Sequence, residues 1–395
     1  MSAPEIRFPE FKAPWRPTVA GVAFKHSRAR GQAGLPIYSV TLDRGMVRRD
    51  SLDRHMESDA ADGQNLRAQH GDIVYNMMRM WQGAVGVAPE ECMVSPAYVV
   101  LRPTKETNPQ FFNYWFQTSR MLHKLGAYSH GLTKDRLRLY PDDFAKIPLH
   151  LPTRAEQDRI AAFFEDIDAK LTALREKADG LRQFKTGLMQ RLFSQELRFT
   201  RDDGSDFPDW EERKLRDFIE TVRGLSYSSG DVSNEGVAVL RSNNIRNGRL
   251  DMNDIVLVDV DPTKVNFVDE GDILLCANNG SRNLIGKTAI MTPYAVGMAH
   301  GAFMMILRGP ENLFVFQLLQ TDKFRSIVYK NLGAVINSIN ASDLKSFSFN
   351  VPSDKDERAK IADALIALDT KIDAVTYQIT HMETFKKGLL QKMFV

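Results

Sequence analysis

The sequence predicts an α+β fold: two mixed α/β domains joined by two long antiparallel coiled-coil helices, organised as a pseudo-twofold internal repeat. Three observations lead there. Short motifs recur in constant order about two hundred residues apart. Each copy holds β-branched and aromatic runs punctuated by turn residues, followed by a helical stretch. Each copy then closes on a segment whose apolar residues fall seven apart, the spacing of a coiled-coil seam.

The repeat can be followed along the chain. Phe8-Pro9-Glu10-Phe11 returns as Phe207-Pro208-Asp209-Trp210, and Ser39 with Gly45 returns as Ser242 with Gly248. Gly71-Asp72-Ile73 matches Gly271-Asp272-Ile273, Leu101-Arg102 matches Leu307-Arg308, and Gln117-Thr118 matches Gln320-Thr321. Phe184-Lys185, Gly187-Leu188, Gln190 and Phe193 come back as Phe385-Lys386, Gly388-Leu389, Gln391 and Phe394. The expected order is a domain over residues 1–151, a helix over 152–195, a second domain over 196–351 and a second helix over 352–395.

Within the domains, Ile37 to Thr41, Ile73 to Asn76, Ala97 to Arg102, Val237 to Arg241 and Ile273 to Cys276 read as strands. One helix is expected from Pro109 to Leu125 and its counterpart from Leu313 to Leu332, with aromatic residues packed inward. The first long helix carries Ile160, Ile167, Leu174, Leu181 and Leu188, with a second row at Phe164, Leu171, Ala178 and Leu192. The second repeats this with Ile361, Leu368, Val375, Met382 and Leu389, then Leu365, Ile372, Ile379 and Met393. Pro152-Thr153 and Pro352-Ser353 supply a non-helical lead and a capping hydroxyl, followed by an acidic first turn. Lys185 and Lys386 interrupt the same row of each helix; their stems should pack while the ammonium reaches solvent, a register-setting role being the alternative. Paired antiparallel, the helices would hold the domains at opposite ends of a rod.

Composition excludes several classes of protein. Apolar runs such as Ala97 to Leu101 and Phe303 to Leu307 are far shorter than the roughly 20 residues of a membrane span. The first ten residues include Glu5, Arg7 and Glu10 where a signal peptide would be apolar, so a cytoplasmic protein is expected. Cys92 and Cys276 lie far apart and read as reduced packing residues, and the histidines show no metal-ligand spacing. The net charge of +2 gives no electrostatic signal for nucleic acid by itself.

No catalytic centre is found. Asn108-Pro109-Gln110-Phe111 lacks the second proline of an adenine-methylating motif and reads as a helix cap with Pro in the first turn. Gly280 to Thr288 ends in Gly286-Lys287-Thr288 but has one residue too many to curl round a phosphate. Glu212-Arg213-Lys214, near Pro208-Asp209, echoes a nuclease metal site but reads as a solvated charge run. No metal site and no cofactor site is therefore expected.

Three loops recur in both copies with unlike side chains that suit base edges. After the Gly-Asp-Ile strands stand Asn76, Arg79, Trp81 and Gln82 in one copy, and Asn278, Asn279, Ser281, Arg282 and Asn283 in the other. A second pair sets Arg44, Arg48 and Arg49 against Arg241, Asn243, Asn244 and Arg246, and a third sets Lys134 and Arg136 against Asn337 and Asn340. Arg suits guanine, and Asn or Gln suits adenine, in the major groove. One scaffold with two sets of loops fits a reader of two different half-sites.

Leu151-Pro152, Glu156-Gln157, Ile160-Ala161, Ile167-Asp168, Lys185, Gln190 and Phe193 resemble the helical region of type I restriction–modification specificity subunits. The stretch from Val351-Pro352 to Phe394, with Leu368-Asp369 and Lys371-Ile372, resembles it again, although Glu357-Arg358 stands where a glutamine is expected. The resemblance spans essentially the whole chain. It implies two target-recognition domains on double-stranded DNA, each reading half of a split target with a fixed spacer. It implies helices that set that spacer and dock two modification subunits, and it implies restriction subunits as further partners. S-adenosylmethionine and ATP with magnesium would be bound by those partners, and this chain would be a non-catalytic subunit. The alternatives are a specificity protein of a related DNA-modification or phage-defence system, an enzyme with a disguised site, and a coiled-coil scaffold that touches no DNA.

Overall fold

The computed structural model describes residues 4–52, 62–332 and 337–395. They form two compact units, Met1–Glu176 with Thr376–Val395 and Lys177–Val375. Each unit therefore contains one mixed domain, the start of one long helix and the end of the other.

Both domains use the same frame. A short strand, Arg16–Val19 in the first and Trp210–Lys214 in the second, pairs antiparallel with the strand that leads into a long helix, Pro148–Leu151 or Ser348–Pro352. A four-stranded antiparallel sheet follows the order Phe24–Ser27, Tyr98–Pro103, Ile73–Asn76, Val85–Val87. Its counterpart runs Glu220–Arg223, Met304–Arg308, Ile273–Cys276, Thr288–Ile290. A second sheet in each unit contains one parallel pair, Ile37–Val40 with Cys92–Val94 and Val237–Leu240 with Ala299–His300.

The repeated Gly-Asp-Ile and Leu-Arg motifs turn out to be partners. Gly71 and Gly271 adopt φ of +83° and +79°, values that favour glycine and turn the chain into the strand. The next residue, Asp72 or Asp272, is buried and accepts the backbone N–H of Gln69 or Asp269 at 2.9 Å. Arg102 grips Asp72 through Nε and Nη2 at 3.2 and 3.1 Å, and Arg308 grips Asp272 at 2.9 and 2.6 Å. Two parallel charge-assisted bonds fix a planar geometry, so each pair clamps a turn onto a neighbouring strand.

The single helix expected in each domain is instead two. Pro109–Trp115 is followed by Ser119–Ala127, and Asn312–Leu318 by Asp322–Asn331. Thr118 and Thr321 make the break, because each hydroxyl caps the second helix by accepting from Met121 N–H (3.4 Å) or Phe324 N–H (3.3 Å). Asn108 caps the first helix, accepting from Phe111 N–H at 3.1 Å, with Pro109 in the first turn.

The long helices cover Arg154–Phe193 and Lys355–Met393. Thr153 caps the first, accepting from Glu156 N–H at 3.4 Å. At the second the cap is Asp354, which accepts from Asp356 N–H at 2.8 Å, whereas Ser353 Oγ donates to the Asp209 carbonyl. The acidic first turns do more than complement the helix dipole. Glu156 is buried between Arg7 (2.7 Å twice) and the Trp15 indole (3.1 Å), and Glu357 between Arg198 (3.0 and 2.9 Å) and the Trp210 indole (3.2 Å). The structural counterpart of Trp210 is therefore Trp15, not Phe11. Arg358 replaces Gln157 without losing its role: Gln157 Nε2 donates to the Pro152 carbonyl at 3.1 Å, and Arg358 Nη1 donates to the Pro352 carbonyl at 2.7 Å. The added charge is met by Glu311 at 2.6 and 3.0 Å.

Ile160, Ile167 and Leu174 are buried and Leu181 and Leu188 half-buried; Ile361, Leu368 and Val375 are buried and Met382 and Leu389 half-buried. The outer heptads pack on the domains as well as on helix. Ile160, Phe164, Ile167 and Leu171 share the first domain's core with Leu390, Met393 and Phe394. Ile361, Ala362 and Leu365 share the second domain's core with Met189 and Leu192. Within each unit the helical segments run antiparallel, since Asp168 meets Lys386 and Arg175 meets Glu383 in one, and Lys185 meets Asp369 and Arg198 meets Glu357 in the other.

Those contacts correct the expectation for the two lysines. Neither ammonium is left to solvent. Lys185 Nζ donates to both Asp369 oxygens at 2.8 and 2.7 Å, and Lys386 Nζ donates to Asp168 Oδ1 at 2.5 Å. The two ion pairs are reciprocal under the repeat, each lysine meeting the aspartate of the other helix.

Candidate nucleic-acid interface

The recurring loops are held by one backbone device. In the first domain Leu139 N–H donates to the Met77 carbonyl at 2.9 Å; in the second Ile339 N–H donates to the Ala277 carbonyl at 2.8 Å. This bond joins the loop after the Gly-Asp-Ile strand to the loop before the short helix Pro141–Ala145 or Ala341–Ser346. The scaffold is shared and the side chains it presents are not.

At the first junction Asn76 ends its strand, and its Oδ1 accepts from Met78 N–H at 3.0 Å. Arg79 and Gln82 are exposed at the short turn Met80–Gln82, while Trp81 is half-buried with its indole donating to the Met78 carbonyl at 3.0 Å. Arg136 is exposed in the turn Lys134–Arg136, and the Lys134 side chain lies outside what is described. The segment carrying Arg44, Arg48 and Arg49 runs close beside Val85–Val87, an approach that Gly86 permits because a Cβ there would stand 2.6 Å from Met46 N.

At the second junction three loops meet. Asn279 Nδ2 donates to Ser242 Oγ at 3.2 Å and its N–H to the Asn337 carbonyl at 3.4 Å, while Asn337 Nδ2 donates to the Gly280 carbonyl at 3.3 Å. Asn278, Ser281 and Arg282 are exposed; Arg282 Nη2 donates to the Leu332 carbonyl at 3.2 Å, and Asn283 Oδ1 accepts from the Tyr329 hydroxyl at 3.0 Å. Asn243 and Arg241 both hold Asp254, at 3.2 and 2.9 Å. Asn244 departs from the expectation. Its carboxamide is fully buried, accepting from Arg241 N–H (2.8 Å) and donating to the Asp251 and Asp254 carbonyls (2.8 and 3.1 Å), so it shapes this loop from inside.

The segment that superficially resembled a phosphate loop is built otherwise. Thr288 opens the buried strand Thr288–Ile290, and its hydroxyl accepts from Gln320 Nε2 at 2.6 Å. Burial pushes the Cys92 thiol up to about 12 and the Cys276 thiol to about 11, which keeps both protonated and unreactive at neutral pH. Among the described residues there is no cluster of acidic, His and Cys side chains able to hold a metal, and no helix long and apolar enough to cross a membrane.

The model of the type I restriction modification DNA specificity domain matches residues 30–180 and again 208–382. The putative type I restriction enzyme MjaX specificity subunit of Methanocaldococcus jannaschii is 27% identical over 51% of this chain and 49% of its own length. The MjaVIII specificity subunit of the same organism is 24% identical over 62% of this chain and 61% of its own length. The chain thus spans between about half and three-fifths of these relatives in alignment. In fold it is similar to the S subunit of a type I restriction-modification system from M. genitalium, with a TM-score of 0.62 over 100% of this chain and 99% of that one, at 14% identity.

Proposed function

Because the chain belongs to the family of type I restriction–modification DNA specificity domains, we propose that it is the specificity subunit of such a system, reading one half of a bipartite duplex target with each domain. It carries no reaction itself. Its two modification subunits would bind S-adenosylmethionine and methylate, and its restriction subunits would use ATP. The paired helices set the spacer between half-sites and dock the modification subunits.

The observation that supports this most strongly is the shared junction with unlike side chains. A duplicated fold needs no variation at its loops if the loops only turn the chain. Here Met77–Leu139 presents Asn76, Arg79, Trp81, Gln82 and Arg136, with Lys134 in the same loop, while Ala277–Ile339 presents Asn278, Asn279, Ser281, Arg282 and Asn337, with Arg241 and Asn243 beside them. Guanidinium and carboxamide groups on the same backbone positions discriminate different bases.

Mapping methylated adenines in cells that carry this gene and its partners tests the reading. Arg282→Ala should relax one half of the methylated target, at about 1–3 kcal/mol of lost discrimination, and leave the other half intact. Arg79→Ala should do the reverse. Relaxation of the same half by both substitutions would refute one reader per domain.

A further inference from the structure

The two junctions differ in charge as well as in side-chain type. At the first, Arg79, Arg136 and Arg138 are exposed, and no ion pair engages them among the described residues. Arg138 is brought there by its backbone, which exchanges two 2.9 Å hydrogen bonds with His130, one residue before Leu139 reaches Met77. At the second, Arg282 is exposed with Nη2 donating to the Leu332 carbonyl at 3.2 Å, and the loop before the short helix carries Asn337 and Asn340 and no arginine. The flanking cations there are compensated, as Arg48 is by Asp50 (3.2 Å) at the first. Arg241 meets Asp254 at 2.9 Å, Arg246 meets Asp251 at 2.7 Å and Arg249 meets Asp373 at 3.0 Å. The imbalance extends to whole domains: residues 1–151 contain 20 Lys and Arg against 15 Asp and Glu, and residues 196–351 contain 17 against 21. A chain whose total charge is near zero thus divides into a cationic half and an anionic half.

Resting on the reading of each domain as a reader of its own half-site, we propose that the two domains share the phosphate contacts unequally: the first holds the backbone through Arg136 and Arg138 beside the bases it reads, and the second relies on base contacts by Arg282 and by neutral groups led by Asn278. Phosphate contacts made by cations release counterions and give affinity its salt dependence, whereas carboxamide bonds to bases carry sequence information with little charge. The first domain then supplies most of the affinity held by this chain. The second, repelled weakly by the duplex, engages only where its hydrogen bonds are met. Asn279 and Asn337 position Asn278, since they tie the three loops together.

The test is a salt series of duplex binding by the full-length chain assembled with its modification subunits, on a target duplex and on duplexes with either half scrambled. The R136A/R138A variant should lower the slope of log affinity against log salt by ~0.9 for each cation removed, and weaken all duplexes in equal proportion. R136K/R138K should keep the wild-type slope, which separates lost charge from a disturbed loop. N278A should leave the slope unchanged and weaken only duplexes with the intact second half-site. An unchanged slope in R136A/R138A, or a reduced slope in N278A, would overturn the unequal sharing. Wild-type binding that ignores both scrambled halves would instead remove the underlying reading.

Discussion

Lys185 and Lys386 occupy equivalent places in the repeat, yet their surroundings differ enough to predict unequal effects. Lys185 and Asp369 are each only 14% exposed, and Asp369 also accepts from Gln317 Nε2 at 3.1 Å. In the other pair Asp168 is 41% exposed. Lys185→Met keeps the packing stem and leaves a nearly buried carboxylate without its main partner, which should destabilise the local helix pairing by about 3 kcal/mol. Gln317 and Arg249, 3.4 Å from Asp369, place the figure at the low end of what a broken buried pair costs. Lys386→Met leaves its aspartate in contact with water and should cost at most about 1 kcal/mol. Hydrogen exchange of amides in the two helices reads both. Opening near residue 185 should quicken on the order of 100-fold, and opening near residue 386 by less than about tenfold. Adding Asp369→Asn to Lys185→Met should recover part of the loss by removing the unpaired charge. Equal effects at the two lysines, or a larger one at Lys386, would refute the reasoning from burial.

His300 is fully buried, with Nε2 against the Val222 carbonyl at 3.1 Å, and burial holds its pKa below the ordinary 6.5. Above about pH 6.5 it is neutral in both folded and unfolded chain; as pH falls through that value the unfolded chain takes up a proton that the folded one resists, so stability declines. Melting temperatures measured from pH 7.5 to 5 should fall more steeply for the wild type than for His300→Gln, and parallel curves would contradict this. A fragment ending at Arg198 loses Phe394, which lies 5.1 Å from Phe111 and 5.9 Å from Phe164. Phe193, its repeat equivalent, can take that seat from a second copy, so sedimentation should show a homodimer; a folded monomer at concentrations on the order of tens of micromolar would count against it.

Much of this was readable from order and spacing. The repeat, the strands Ile73–Asn76 and Ile273–Cys276 and both long helices follow from local pattern, because turn glycines and heptads act over a few residues. Partners distant in sequence were not readable. Arg102 and Asp72 each recur in the repeat as Arg308 and Asp272, but nothing along the chain says that one grips the other. The capping threonines Thr118 and Thr321 lay inside an apolar pattern that continues through the break they cause. Lys185 and Lys386 looked like tolerated intrusions because the aspartates that meet them sit on the opposite helix. At the loops, residue type marked where readers could stand, yet it did not distinguish exposed Asn278 from buried Asn244, which three backbone groups consume.

The first compact unit is finished by residues 376–395, about two hundred residues beyond its main segment. On a ribosome elongating at about 5–20 residues per second, that interval lasts on the order of 10 to 40 s. Throughout it, Phe111, Trp115 and Phe164 are already synthesised while Phe394, whose ring packs against all three in the complete chain, is not. The nascent chain offers a hydrophobic seat shaped for a helix end, and the first such end to emerge is its own Phe193, followed only much later by the proper one. Two neighbouring nascent chains could fill each other's seats in the meantime.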